Sequence, residues 1–287
     1  MSTSDASPAG LTRRPDAAWS SLYRIGGWSG ILFAGPYIVA IILLAAAPPP
    51  VNPTGEQALE YVGAHRWLYG TEQVLWLAPG LLAMIVLLAA AVALRYLDHG
   101  YAAIAGLVGV LSWALSLALP VTGGGSPLLV YLSNEYLAAS SPPRRTAFAT
   151  VAEGLIAENN TPNLVGVLTT VGILLISLLM VKGVFPRWIA YLGIATGGIG
   201  FVSEVLRPVL GVVYSLYGVI LLVWFGAVGG QLRRLARGGP GALATARSSW
   251  DLGADVLPGH GLAPRSASRS GSWPTPPETA RTPRRRR

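Results

Sequence analysis

The chain has 287 residues, 52% of them hydrophobic and only 12% charged, with a net charge of +8. Soluble domains carry about 25% charged residues, so a pair of soluble domains is excluded. The absence of cysteine excludes disulfides, cysteine nucleophiles and thiolate metal sites. Of the 21 basic residues 20 are arginine, and 11 lie from Arg233 onward. The charge therefore belongs to a tail, and no nucleic-acid partner is expected.

Residues 1–22 hold little apolar content and are expected to be a disordered N-terminal segment. The first 26 residues contain no apolar core of a cleavable signal. The run from Gly27 is long enough to cross a membrane, so it reads as an uncleaved anchor. This first span runs Gly27–Ala47, with a kink expected at Pro36 and a stop at Pro48-Pro49-Pro50. Residues 51–73 read as a loop in which Thr54 caps a short helix over Glu56–Val62. Span two covers Val74–Leu97 with Pro79-Gly80 inside, and span three covers Ala102–Pro120.

A connection over 121–163 follows. Gly123-Gly124-Gly125 reads as flexible, and Pro127–Leu137 is apolar but too short to span. Ser141-Pro142 has the pattern of a helix start. Over 145–158 the residues Phe148, Val151, Ala152, Leu155 and Ile156 form one apolar stripe, which marks an amphipathic helix on the outer side. After the break at Asn159–Pro162, span four runs Leu164–Val181, span five Trp188–Val205 and span six Val209–Val228. An α-helix rises about 1.5 Å per residue, so about 20 apolar residues cross the hydrocarbon core. The fold class is thus all-α, a polytopic transmembrane bundle over residues 23–237 with six spans and an amphipathic outer-loop helix. Residues 238–287, rich in Arg, Pro and Ser, read as a disordered cytoplasmic tail.

Nine Lys or Arg residues flank the spans on the side of the termini, against four on the other: Arg66, Arg144, Arg145 and Arg207. That asymmetry places both termini in the cytoplasm and the chain in the plasma (inner) membrane. The expected partners are the lipid bilayer and, at the basic tail, anionic headgroups. A homo-oligomer is compatible with the glycine pattern. Gly26/Gly30, Gly193/Gly197 and Gly226/Gly230 recur at the spacing that lets helix backbones approach. Trp28, Trp188 and Trp224 are expected to anchor at the cytoplasmic boundary, and Trp67 and Trp76 at the outer one.

Catalytic chemistry is not legible. Gly27-Trp28-Ser29-Gly30 matches the serine motif of rhomboid-type proteases, but all three histidines, His65, His99 and His260, fall in loops or the tail. Small residues for helix packing explain the motif better. No metal site or cofactor is expected, because the histidines make no ligand spacing and the carboxylates lie mainly in loops. The one polar cluster worth naming is at the outer face: Glu204 and Arg207, three residues apart, with Glu72. It reads first as an interfacial ion pair pinning a hairpin turn, and second as a solute or proton site.

Tyr23-Arg24-Ile25-Gly26-Gly27, Ala64–Gly70 and Phe185–Gly193 carry a resemblance to a bacterial family of membrane proteins with six to seven helices, known only as a domain of unknown function. The resemblance covers about Ser21–Leu235. It implies a multi-span membrane protein and supplies no activity and no site residues. Two readings follow. The first is a non-catalytic accessory, sensory or envelope component. The second is a small-solute transporter or channel, with Ser112, Ser116, Thr169, Thr170 and Thr196 as its modest polar candidates. An intramembrane enzyme is the weakest reading.

Overall fold

Two prolines interrupt the helices of the first two spans. A proline cannot donate to the carbonyl four residues earlier, and its ring crowds that carbonyl. In the computed structural model of the chain, α1 (Ser20–Leu32) gives way to α2 (Ala34–Ala46) at Phe33, three residues before Pro36. After α3 (Gly55–Ala64), α4 (Arg66–Leu77) gives way in the same manner to α5 (Pro79–Leu94) at Ala78. The structure describes residues 15–119, 125–159, 161–210 and 214–238, all within a compact unit over 1–242. Residues 1–14, Gly123, Gly124, Asn160 and the basic tail from Gly239 lie outside the described residues.

Six helical stretches are long and apolar enough to cross a membrane: Ala17–Ala46, Arg66–Leu94, His99–Ala118, Pro142–Met180, Arg187–Val205 and Leu216–Arg237. They contain, beyond the interrupted first two, α6 (His99–Ala118), α9 (Leu164–Met180), α10 (Arg187–Val205) and α12 (Tyr214–Arg237). These spans close into a ring in chain order. α1 packs on α5, α5 on α6, α6 on α9, α9 on α10, α10 on α12, and α12 returns to α1. Ile38, Ile42, Ile104 and Leu107 stay exposed on the outside of the ring. Lipid tolerates such a surface, whereas water would not.

Three span boundaries depart from expectation. Span one starts inside the segment expected to be disordered, because the Asp16 carboxylate caps the turn Ala17–Trp19 and pairs with Arg95 at 2.9 Å. Span two starts at Arg66, not Val74. Its polar residues Glu72 and Gln73 turn inward and are 1% exposed, so the helix continues without presenting them to lipid. Span six runs on beyond Val228: α12 extends to Arg237, while Val209 and Leu210 belong to α11 (Arg207–Leu210) and residues 211–213 lie outside the described residues. The basic end of α12 stays helical because Arg233 lies over the Trp28 ring, 3.9 Å from its centroid.

At the end of the bundle away from the termini, α3, α7 (Leu128–Ala138) and α8 (Pro142–Asn159) pack on one another and form a cap. Its core is Leu59, Val62, Tyr69, Leu129, Leu132, Tyr136 and Ala152. Thr54 and Gln57 make a reciprocal capping box at the start of α3. Ser133 Oγ donates to the Leu59 carbonyl at 2.6 Å, and Tyr136 donates its hydroxyl to Glu56. That bond to a carboxylate pushes the Tyr136 phenol up to about 12. The amphipathic helix is therefore present, but its buried stripe is rotated. Ala152 is fully buried and Phe148, Ala149 and Leu155 pack on the core, while Val151 is 49% exposed. α8 meets α3 and α7 on two sides, and that geometry selects its inner face.

The glycine seams are real at four of the six expected positions. A Cβ on Gly26 would sit 2.5 Å from Ala89 Cβ, and one on Gly30 would sit 2.7 Å from Gly229 Cα. Gly193 faces Ser177 and Trp224, and Gly197 faces the Thr170 carbonyl. Gly226 and Gly230 face nothing within 4 Å; the residue of α12 that makes the crossing is Gly229. Gly27 and Gly30 of the serine-like motif are likewise occupied in this contact. Trp28, Trp67 and Trp188 are exposed, as boundary anchors require, but Trp224 is fully buried and Trp76 turns into the bundle.

The crossing yields a paired prediction. Gly229→Leu forces side-chain atoms into the α1 backbone and should destabilise the bundle by about 1–3 kcal/mol, the usual cost of overpacking. Gly230→Leu, which points into open space, should leave stability in detergent unchanged. Equal melting temperatures for the two variants would rule out this crossing.

Candidate functional site

Glu204 lies in the last turn of α10, Arg207 opens α11, and Tyr214 opens α12. These three side chains converge. Tyr214 donates its hydroxyl to Glu204 Oε1 at 2.6 Å. Arg207 Nη1 lies 3.9 Å from Glu204 Oε2, and its guanidinium sits 5.0 Å from the centre of the Tyr214 ring. A distance of 3.9 Å is an ionic contact but not a hydrogen bond. Oε2 has no hydrogen-bond partner.

Gly166 makes room for this carboxylate. A Cβ there would fall 2.3 Å from Glu204 Cδ. The acid thus lies against the first turn of α9, where the helix dipole favours negative charge. The ion pair expected at this turn forms, but it does not meet water at a boundary. Glu204 is 4% exposed, and the pair faces into the bundle.

It faces a vestibule of about 660 Å³ lined by residues from all six spans. Tyr37 comes from α2, Trp76 and Gly80 from the second span, Trp113 and Ser116 from α6, Gly166 and Thr169 from α9, Glu204 from α10, and Tyr214 and Tyr217 from α12. Asn159 and Asn163 stand where the cap joins α9. Behind the lining Trp113, towards the termini, lies a buried aromatic stack. Phe33, one turn before Tyr37, stacks on Phe225, one turn after Leu221, with ring centroids 4.0 Å apart. Trp113 meets both edge-on, and Trp224 meets Phe225 edge-on at 5.0 Å. Phe33, Phe225 and Trp224 are fully buried.

The candidate cluster is thus split. Glu204 and Arg207 come together, but Glu72 does not line the vestibule. Its Oε1 accepts a hydrogen bond from Trp76 Nε1, one helical turn on, at 2.9 Å. Trp76 in turn packs edge-on against Tyr37, so Glu72 braces the wall from behind. The hydroxyl candidates are spent on their own helices. Ser112 bonds the Gly109 carbonyl, Ser116 that of Ser112, Thr169 that of Val165, Thr170 that of Val167 and Thr196 that of Leu192. Sequence reasoning missed Tyr214, Tyr37, Trp113 and Gly166. Tyr214 was hidden in an uncharged run, and no local signal marks a glycine whose neighbour comes from 38 positions away.

The chain matches no protein-family model, no curated protein and no solved structure. The site must be read from its own chemistry. It offers a carboxylate, a guanidinium and aromatic faces. Neither His65, which begins α4 at the cap, nor His99, which begins α6 at the end of the termini, lines the vestibule.

The Gly166–Glu204 contact can be tested by a double-mutant cycle. Gly166→Ala should destabilise the protein by displacing the Glu204 carboxyl. In the Glu204→Ala background the same change should cost little, because the opposing group is gone. Additive losses in thermal stability would disprove the contact.

Proposed function

We propose that this chain is a non-catalytic multi-pass membrane protein of the sensory or accessory kind that takes a small molecule into the vestibule. The observation that carries the reading is the make-up of the site. All six spans contribute to its wall, and behind the lining Trp113 the buried rings of Phe33, Phe225 and Trp224 pack the bundle towards the termini. A wall of aromatic and apolar groups with a few convergent polar ones is the usual make-up of a small-molecule site. Transport is the second reading, favoured by the convergence of every span on one space. It needs a polar path beyond the aromatic stack, and the buried hydroxyls give it little support because they bond their own helices.

The membrane address belongs to the same proposal. Arg24, Arg95, Lys182, Arg187 and the Arg233–Arg237 group lie at the end of the termini, against Arg66, Arg144, Arg145 and Arg207 at the capped end. This asymmetry supports a bacterial inner membrane with cytoplasmic termini and an outward-facing cap and vestibule. The tail arginines would then meet anionic lipid. The resemblance to the uncharacterised bacterial family points the same way.

Two measurements decide. Cysteine placed at exposed Thr150 should react with an impermeant maleimide on intact cells, while protection there and reaction only after lysis would reverse the orientation. Purified protein in liposomes should bind a ligand, read as a rise in melting temperature, without accumulating it inside. Saturable uptake of that ligand would replace the sensory reading with transport.

A further inference from the structure

The vestibule also indicates what kind of molecule it takes, an inference that rests on the binding function proposed above. Three buried polar atoms of its lining residues have no hydrogen-bond partner: Glu204 Oε2, Asn159 Oδ1 and Trp113 Nε1. Unpartnered buried polar atoms are uncommon, and each calls for an explanation. Two of these are acceptors and one is a donor. Arg207 adds a guanidinium with five N–H donors; its described contacts are the 3.9 Å approach to Glu204 and the Tyr214 ring. Acid and base are adjacent yet not hydrogen-bonded, so the site holds unused capacity of both signs within a few ångströms.

Charge alone would suit a cation or an anion badly, since Glu204 would repel one and Arg207 the other. A group carrying both signs satisfies both. We propose that the vestibule binds an ammonium–anion zwitterion with an apolar body. Its primary ammonium inserts beside Glu204 Oε2, and its carboxylate or phosphate engages Arg207. This replaces one long ionic contact with two charge-assisted hydrogen bonds. Tyr37 and Trp76 line the same space and offer aromatic surface to a cation. The apolar body lies against Ile41, Leu221 and Leu222.

Two sources offer this chemistry: a soluble amino-acid-like molecule, or the headgroup of a phosphoethanolamine lipid. The second is accessible because α2, beyond the interruption at Phe33, packs on α4 and only lightly on α12. Ile41 of α2 and Val219 of α12 line the vestibule and are 50% and 57% exposed. The wall is thus thin where lipid would lie.

The test uses the full chain in lipid nanodiscs and a matched probe series. The probes are L-phenylalanine, phenethylamine, 3-phenylpropionate and uncharged 2-phenylethanol, followed by lysophosphatidylethanolamine and lysophosphatidylcholine. Affinity is read from the fluorescence of the lining tryptophans and from melting temperature. At least one primary-ammonium zwitterion should bind about tenfold or more tighter than every probe with a single charge or none. Preference for phenylalanine identifies a soluble source. Preference for lysophosphatidylethanolamine over lysophosphatidylcholine, whose quaternary ammonium has no N–H, identifies the membrane. Glu204→Gln should abolish the advantage conferred by the ammonium, and Arg207→Gln that conferred by the anion. If either variant fails to fold, the wild-type series alone decides. Binding of the amine or the acid as tightly as the zwitterions overturns the inference and leaves the binding function standing. Binding of no probe, 2-phenylethanol included, overturns both.

Discussion

The architecture depends on the closure of the ring by its first and last spans. Membrane helices gain little from the hydrophobic effect among themselves, since lipid tails are as apolar as leucine; close backbone packing has to supply the association. α1 and α12 obtain it through Gly27 and Gly30 against Gly229, where added side-chain carbons would fall within 3 Å of backbone. Arg233 over Trp28 and the Asp16–Arg95 pair hold the same end together. Because these contacts gather towards the termini, the two spans are free to part at the other end.

Pro36 marks where they do. Beyond the interruption at Phe33, α2 packs on α4 and only lightly on α12, and the second span is interrupted in its turn at Ala78. The aromatic stack of Phe33 and Phe225 lies at the point of divergence, with Trp113 against both rings.

The cap meets a different demand. Its helices carry polar residues that lipid would reject, so they need a core of their own. Leu59, Leu132, Tyr136 and Ala152 provide it, and the bonds from Ser133 and Tyr136 to α3 fix its register. Asn159, at the end of α8, carries this small domain to the rim of the vestibule.

The number of spans, the interruption at Pro36, the Thr54 cap and the start of α8 at Pro142 are local matters. Apolar run length, proline chemistry and capping hydroxyls determine them within a few residues of chain, so they were legible from the sequence. Tertiary structure decided what depends on distant neighbours. Val151 and Ala152 are adjacent and both apolar, yet only the packing of α3 and α7 against α8 chose which to bury. Gly229 and Gly230 are chemically identical, and only the approach of α1 separates them. Glu204 and Arg207 were visible as a pair, but their burial arises from Gly166 and Tyr214 on two other helices. Glu72, with equal standing in the sequence, found a local partner in Trp76 and never reached the site. Periodicity reports which face a helix offers. Which of those faces meet, and what they leave unpaired between them, is settled only when the ring closes.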